Sequence, residues 1–231
     1  MQKTLKFNKK NLKITYRDDS DLSVIDEFFV DKMYRSIDSI IPNLENPILD
    51  IGAHIGMFSL YASTLNPEIK IIALEPEPDN FELLKENLKT NHCKNVITKQ
   101  VALTHTQETK TNLYISKDTH THSIVSKTDS SIEVNTTTLG KLITQNKLEK
   151  ISLLKMDIEG AEFEIIKNLS DETWNKIQYL VIEYHPAPRW VQSKPEHYLN
   201  ELIRTKGFST EHFPNHFDKR FGLLLCRNKK I

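Results

Sequence analysis

The run Asp50-Ile51-Gly52-Ala53-His54-Ile55-Gly56 is the first place in this sequence where residue types and spacing could do chemistry. Gly52 and Gly56 lack a Cβ, so the chain can turn tightly there and a ligand can approach the backbone. Asp50 could accept hydrogen bonds or pair with a positive group. Glu75 falls about 20 residues beyond the glycines, the spacing at which a carboxylate ending a second strand accepts both ribose hydroxyls. Together they point to a nucleotide site. Dinucleotide folds use Gly-x-Gly-x-x-Gly to bring a helix N-terminus against a pyrophosphate, and here Ala53-His54-Ile55 separates the glycines. No Gly-Lys-Ser/Thr element for a triphosphate occurs either. An acidic residue before the glycines suits a cationic ligand better, and S-adenosylmethionine carries both an ammonium and a sulfonium.

Two further stretches are rich in ionisable groups: Lys155-Met156-Asp157-Ile158-Glu159-Gly160-Ala161-Glu162 and Glu183-Tyr184-His185-Pro186. Strand alternation puts Lys155, Asp157 and Glu159 on one side, and Glu183 and His185 on one side. Buried charges are costly alone, so such a set needs mutual pairing or a ligand. A structural ion-pair network at the top of a sheet is the plainer alternative.

The elements that must position these groups alternate regularly from residue 47. Strands are expected at Pro47–Ile51, Lys70–Glu75, Val96–Leu103, Ile151–Asp157 and Tyr179–Glu183, with helices between them. Asp79, with Glu82 three residues on, has capping-box spacing for the helix carrying Phe81, Leu84 and Leu88. Leu139 to Asn146 reads as a short helix, and Pro195 opens a helix that Gly207 closes. Phe208–Phe213 and Gly222–Cys226 close the chain as a strand pair, which implies an antiparallel strand at or near one edge. The pattern is that of an α/β fold, a parallel sheet with helices on both faces, in one domain over 47–231. An inserted polar segment at about 104–138 contains strand candidates at Leu113–Ile115 and Ile132–Val134. Residues 1–46 are read as a helical cover segment, because Val24, Phe28, Phe29 and Tyr34 fall at helical spacing.

Composition narrows the function classes. The 231 residues hold 31 Lys plus Arg against 31 Asp plus Glu, and this balance argues against a dedicated nucleic-acid binder. The basic residues Lys3, Lys6, Lys9, Lys10 and Lys13 read as a solvated end. Met1 to Lys13 lacks the apolar stretch of a signal peptide, and no apolar run approaches about 20 residues, so no membrane span is expected. Two distant cysteines, Cys93 and Cys226, suit a reducing compartment, and the expected location is cytoplasmic.

The motifs in order resemble the FkbM-type methyltransferases: Ile48 to Gly56, Ala73 to Asn87 with its Glu-Pro-x-Pro, Val101-Ala102-Leu103, the Lys-x-Asp-x-Glu-Gly-Ala-Glu stretch, and Ile182-Glu183-Tyr184-His185. That family is a class I, Rossmann-like group. The resemblance implies a seven-stranded sheet with one antiparallel strand, S-adenosylmethionine as cofactor, and a hydroxyl of a sugar, glycan or small metabolite as acceptor. By position, Asp50, Gly52, Ala53 and Gly56 would hold the methionine part and Glu75 the ribose. His54, Phe58 and Pro76 would be further cofactor contacts, and Asp157 and Glu159 would line the transfer site. The chain departs from the family with His54 in place of the usual Asn, Gly140 where Asp often follows the Thr-Leu pair, and Thr119-His120-Thr121-His122-Ser123 in place of a Ser-rich patch.

An alcohol has a high pKa, so a base or a metal must assist loss of its proton. His185, or one of Asp157, Glu159 and Glu183, is the expected base, and Lys155 a charge partner of these carboxylates. Glu159, Glu183 and His185 could instead hold a divalent cation. His120 and His122 lie one residue apart, but no Cys or carboxylate cluster completes a metal set near them. A nucleic-acid methyltransferase is the first rival, although Asp157-Ile158-Glu159-Gly160 is not the Asn/Asp-Pro-Pro-aromatic loop of base methylation. A non-catalytic S-adenosylmethionine-binding module and a dehydrogenase are the others. Oligomeric state is not legible in the sequence.

Overall fold

A computed structural model describes residues 1–116, 122–186, 188, 190–215 and 221–230. Strands β1 (Gln2–Phe7) and β2 (Lys10–Thr15) form a hairpin, followed by helix α1 (Asp19–Phe29). Then come β3 (Ile48–Ile51), α2 (Met57–Leu65), β4 (Ile71–Leu74), α3 (Pro78–Thr90), β5 (Val96–Lys99), β6 (Ala102–Leu103), β7 (Lys110–Tyr114) and β8 (Ser131–Thr137). The chain ends α4 (Leu139–Asn146), β9 (Ile151–Met156), α5 (Glu162–Asn168), α6 (Asp171–Lys176), β10 (Ile177–Tyr184), α7 (Pro195–Thr205), β11 (Phe208–Pro214) and β12 (Gly222–Asn228).

Seven strands pair in the order β11-β12-β10-β9-β3-β4-β5. Only β12 runs antiparallel, against both β10 and β11. The expected α/β class and the single antiparallel strand are both present, and that strand lies one place in from the edge. Alternation along the strands splits the core into two faces. Leu49, Ile51, Leu154 and Met156 pack with Phe163 and Trp174 on one face. Ile48 and Leu153 pack with Phe28, Tyr34, Phe58 and Tyr61 on the other. Asp50 and Lys155 belong to this second face, and the β3–β9 register sets them side by side. Chain order reverses between β3 and β9, so the carboxyl ends of these strands open a crevice there.

Three local expectations change. The stretch Val96–Leu103 divides: β5 stays in the main sheet, whereas β6 joins β8 and β7 in a separate three-stranded sheet. Helix α3 starts at Pro78, and its cap is Glu77, whose side chain accepts from Asn80 N at 2.6 Å. Proline fits the first helical position because its missing N–H would be unsatisfied there, which moves the start ahead of Asp79. The basic N-terminus is a hairpin rather than a loose end. Its turn, Asn8-Lys9, has both residues at positive φ (44° and 63°), the backbone of a two-residue hairpin turn.

Asn87 fastens this hairpin to the sheet. Its side chain is fully buried, accepts from Thr15 N at 2.7 Å, and donates to Thr15 O at 3.1 Å and Ile55 O at 2.9 Å. Asn87→Ala should therefore lower unfolding stability by about 2–4 kcal/mol, since it strands buried donors and acceptors. Urea unfolding measures this, and a loss under about 0.5 kcal/mol would contradict the clamp. Among the described residues, no helix is long and apolar enough to cross a membrane.

Candidate active site

The loop after β3 is held from below. Gly52 N and Ala53 N both donate to Leu74 O, at 3.1 and 2.9 Å, and Gly52 O accepts from Lys155 Nζ at 2.7 Å. Gly52 has φ +77°, and a Cβ there would lie 1.8 Å from the carbonyl oxygen of Asp157. No other residue fits. Gly56, at φ +93°, leads into α2. Asp50 is fully buried and turned inward: Oδ2 accepts from Ser59 Oγ at 2.6 Å, and Oδ1 lies 3.5 Å from Lys155 Nζ. Burial raises the Asp50 carboxyl, while Lys155 and Ser59 oppose the rise.

Lys155 is also buried and lies 3.4 Å from Asp157 Oδ2. Burial works against its charge, but Asp157, Asp50 and Glu183 outweigh it and raise its pKa. Lys155 is thus a fixed cation tying β3 to β9, as expected of a charge partner.

His54 has φ +49°, and its backbone N donates to Glu75 Oε2 at 2.7 Å. Its ring Nε2 lies 3.4 Å from Asp21 Oδ1 in α1, where Arg17 clamps the same carboxylate through Nε and Nη2 at 2.9 and 2.8 Å. His54 therefore joins the loop after β3 to the N-terminal segment. Glu75, just past β4, also accepts from Glu77 N at 3.0 Å. Burial lifts its carboxyl to about 7, against the pull of these backbone donors.

The chemical end gathers beyond β9 and β10. His185 is buried, and its Nδ1 and backbone N meet Glu162 Oε1 at 3.0 and 3.1 Å. Its Nε2 lies 3.2 Å from Glu159 Oε1 and 3.7 Å from Asp157 Oδ1. Burial alone would lower the His185 pKa, but Glu162 and Glu159 raise it well above the usual imidazole value. Glu159 sits at φ +53°, and its backbone carbonyl accepts from Ser123 Oγ at 2.7 Å. Burial raises Glu159, with His185 opposing. Glu183 is raised well above the carboxylate range by burial and by Asp157, and Tyr34 donates to its Oε2 at 3.3 Å.

One cleft of about 900 Å³, open mouth included, joins the two ends. Of the expected site residues, Gly52, His54, Glu75, Pro76, Asp157, Glu159 and Glu183 line it. Asp50, Ala53, Gly56, Phe58, Lys155 and His185 are absent from its walls. Phe58 instead packs in an aromatic cluster, 5.8 Å from Tyr34 and 6.3 Å from Phe28. The candidate metal set also differs from expectation. Asp157, Glu159 and His185 bring ligand atoms within 4.8 Å of one another, and Glu183 is not among them. His122 lies on the cleft wall, while His120 falls outside the described residues.

Three groups were not anticipated. Glu27 of α1 lines the cleft, and burial, with Asp157 and Asp31, lifts its carboxyl to about 7. A carboxylate beside Val24 and Phe28 on an otherwise apolar helix face was the available signal. Asn80 lines the cleft beside Pro76, and Ser123 supports the Glu159 loop.

These features are those of a class I methyltransferase. The methyltransferase FkbM domain matches residues 50–210, and the chain belongs to that family. It is 31% identical over 216 residues to the methyltransferase sdnD of Sordaria araneosa, covering 79% of this chain and 80% of that one. Over 190 residues it is 23% identical to the 31-O-demethyl-FK506 methyltransferase FkbM of Streptomyces tacrolimicus, covering 69% and 72%. A Streptococcus mutans methyltransferase solved in complex with SAH shares the fold, with a TM-score of 0.51, 11% identity, and coverage of 84% of this chain and 97% of that one. The chain is thus an S-adenosylmethionine-dependent methyltransferase of the FkbM type.

Proposed function

We propose that this protein transfers a methyl group to a hydroxyl of a sugar, glycan or small metabolite. The observation that carries the reading is the carboxylate wall of Asp157, Glu159 and Glu183, set in the same cleft as the glycine loop and Glu75. The cleft suits the cofactor by its chemistry. Glu75 offers two oxygens to ribose hydroxyls, and the acidic wall suits a sulfonium and an ammonium. S-adenosylmethionine, when bound, supplies a methyl carbon activated by its sulfonium.

The chain's own residues then align and take a proton. Gly52 and His54 hold the loop at the cleft, and Pro76 and Ala102 line it beside Glu75. Glu159, with a carboxyl raised by burial, is matched to accept the hydroxyl proton. His185, held between Glu162 and Glu159, fixes Glu159 rather than acting as base. The Streptomyces relative is named for an O-methyl transfer, which supports a hydroxyl acceptor.

A screen of hydroxylated acceptors with methyl-labelled S-adenosylmethionine tests the reading. Glu159→Gln should lower kcat by about 10²–10⁴-fold while leaving the cofactor Kd within a few-fold, the usual range for loss of a general base. Label appearing only on nitrogen or carbon, or in RNA, would overturn it.

A further inference from the structure

We propose that Asp157, Glu159 and His185 form a binding site for one divalent cation of the Mg²⁺ or Mn²⁺ class. The role assigned to the cation below rests on the hydroxyl-transfer reading, but the site itself does not.

Two carboxylates from the loop after β9 and one imidazole from beyond β10 converge here, with ligand atoms within 4.8 Å of one another. His185 Nε2 lies 3.2 Å from Glu159 Oε1 and 3.7 Å from Asp157 Oδ1. Adjacent ligands of an octahedral ion with bonds of about 2.1 Å stand roughly 3 Å apart, so only a small turn of the part-exposed Asp157 side chain is needed.

A second observation lies behind the ring. Glu162, fully buried, accepts from His185 Nδ1 and from the His185 backbone N, while its other oxygen accepts from Gly160 N at 2.9 Å. A buried carboxylate on Nδ1 fixes the ring and directs Nε2 outward, the arrangement that orients metal-bound histidines. The same carboxylate anchors Gly160, next to Glu159, so one group positions two of the three ligands.

Oxygen-rich ligands with one imidazole suit Mn²⁺ or Mg²⁺ rather than a thiolate-seeking metal.

The cation would hold the acceptor oxygen and lower its pKa. The acceptor oxygen then bonds to the methyl carbon as the carbon–sulfur bond breaks. The sulfur would keep that electron pair, and the hydroxyl proton would pass to Glu159.

Mn²⁺ titration of the whole chain, followed by electron paramagnetic resonance, tests the site. The expected result is one bound Mn²⁺ per chain, with Kd weakened at least tenfold in Glu159→Gln and again in His185→Gln. Melting curves identify any variant that fails to fold, and the other variant then decides. No Mn²⁺ binding by the wild type, or binding that both folded variants retain, would overturn the proposal and leave an ion-pair network only. Titrating S-adenosylmethionine with chelator present separates the two readings. Retained cofactor binding without Mn²⁺ binding sinks the metal site alone, and Mn²⁺ binding without cofactor binding sinks the cofactor reading alone.

Discussion

Gly52→Ala should abolish cofactor binding and lower Tm by roughly 6–20 °C, for a stability loss of about 3–5 kcal/mol at the usual 2–4 °C per kcal/mol of a chain this size. Two costs combine. At φ +77° an alanine sits in the left-handed region, at a cost of about 1–2 kcal/mol. Its Cβ would also stand 1.8 Å from the Asp157 carbonyl oxygen, which is backbone and cannot swing aside. Overpacking of that kind adds about 1–3 kcal/mol or more. Relief requires β3 and β9 to part at their carboxyl ends, where the Lys155 contacts to Gly52 O, Asp50 and Asp157 are made. The loop would then lose its support and the cofactor its seat. Gly140→Ala is the matched control: nothing lies within 4 Å of its added Cβ, and it sits in α4. It should be neutral or stabilise by up to about 1 kcal/mol. Thermal melts and calorimetric titration of S-adenosylmethionine read both variants, and an unchanged Gly52→Ala would refute this account of the loop.

Glu75→Ala should weaken S-adenosylmethionine binding by roughly 30–150-fold, or about 2–3 kcal/mol at 1.4 kcal/mol per tenfold. Hydrogen bonds to a charged partner contribute about 1.5–3 kcal/mol each, and partial rescue by water lowers the sum. The carboxylate also supports the loop through His54 N and Glu77 N, so part of the loss is positional. A pH arm follows from the carboxyl being lifted to about 7. Below that value the group holds a proton and accepts poorly from ribose, and above it the ionised form accepts well. Cofactor affinity should therefore rise with pH, by up to about tenfold between pH 6 and 8 for a single such group. Glu75→Gln should flatten most of that rise. An unchanged slope would assign the titration to Glu27, whose carboxyl is lifted to a similar value.

The sheet was legible because its cues are local. Apolar runs end at Gly52, Glu75, Asp157 and Glu183, and each end sits where the alternation of strand and helix requires. The same local cues brought Glu75, Pro76, Asp157 and Glu159 to one cleft. Asp50 and Lys155 were legible as ionisable but not as mutual partners, since their pairing depends on the β3–β9 register.

What escaped the sequence was set by distant packing. The hairpin was hidden by its lysines, because Leu5, Phe7, Leu12 and Ile14 carry the buried alternation and the turn is Asn8-Lys9 rather than Asn-Gly. Glu27 gains a role only through the packing of α1 over the cleft, which local sequence does not show. Phe58 follows the glycine loop at the start of α2, but its ring turns to Phe28 and Tyr34. Ser123 and Glu162 act by holding Glu159 and His185, a role that spacing cannot reveal.

In the proposed function, one cleft would hold the cofactor between Glu75 and the Asp157–Glu159 wall. A crystal structure of the chain with S-adenosylhomocysteine tests it most directly. The expected structure has ribose hydroxyls on the Glu75 carboxylate, the methionine part along Gly52 to His54, and the sulfur facing Asp157 and Glu159. A ribose away from Glu75, or a sulfur facing away from that wall, would contradict it.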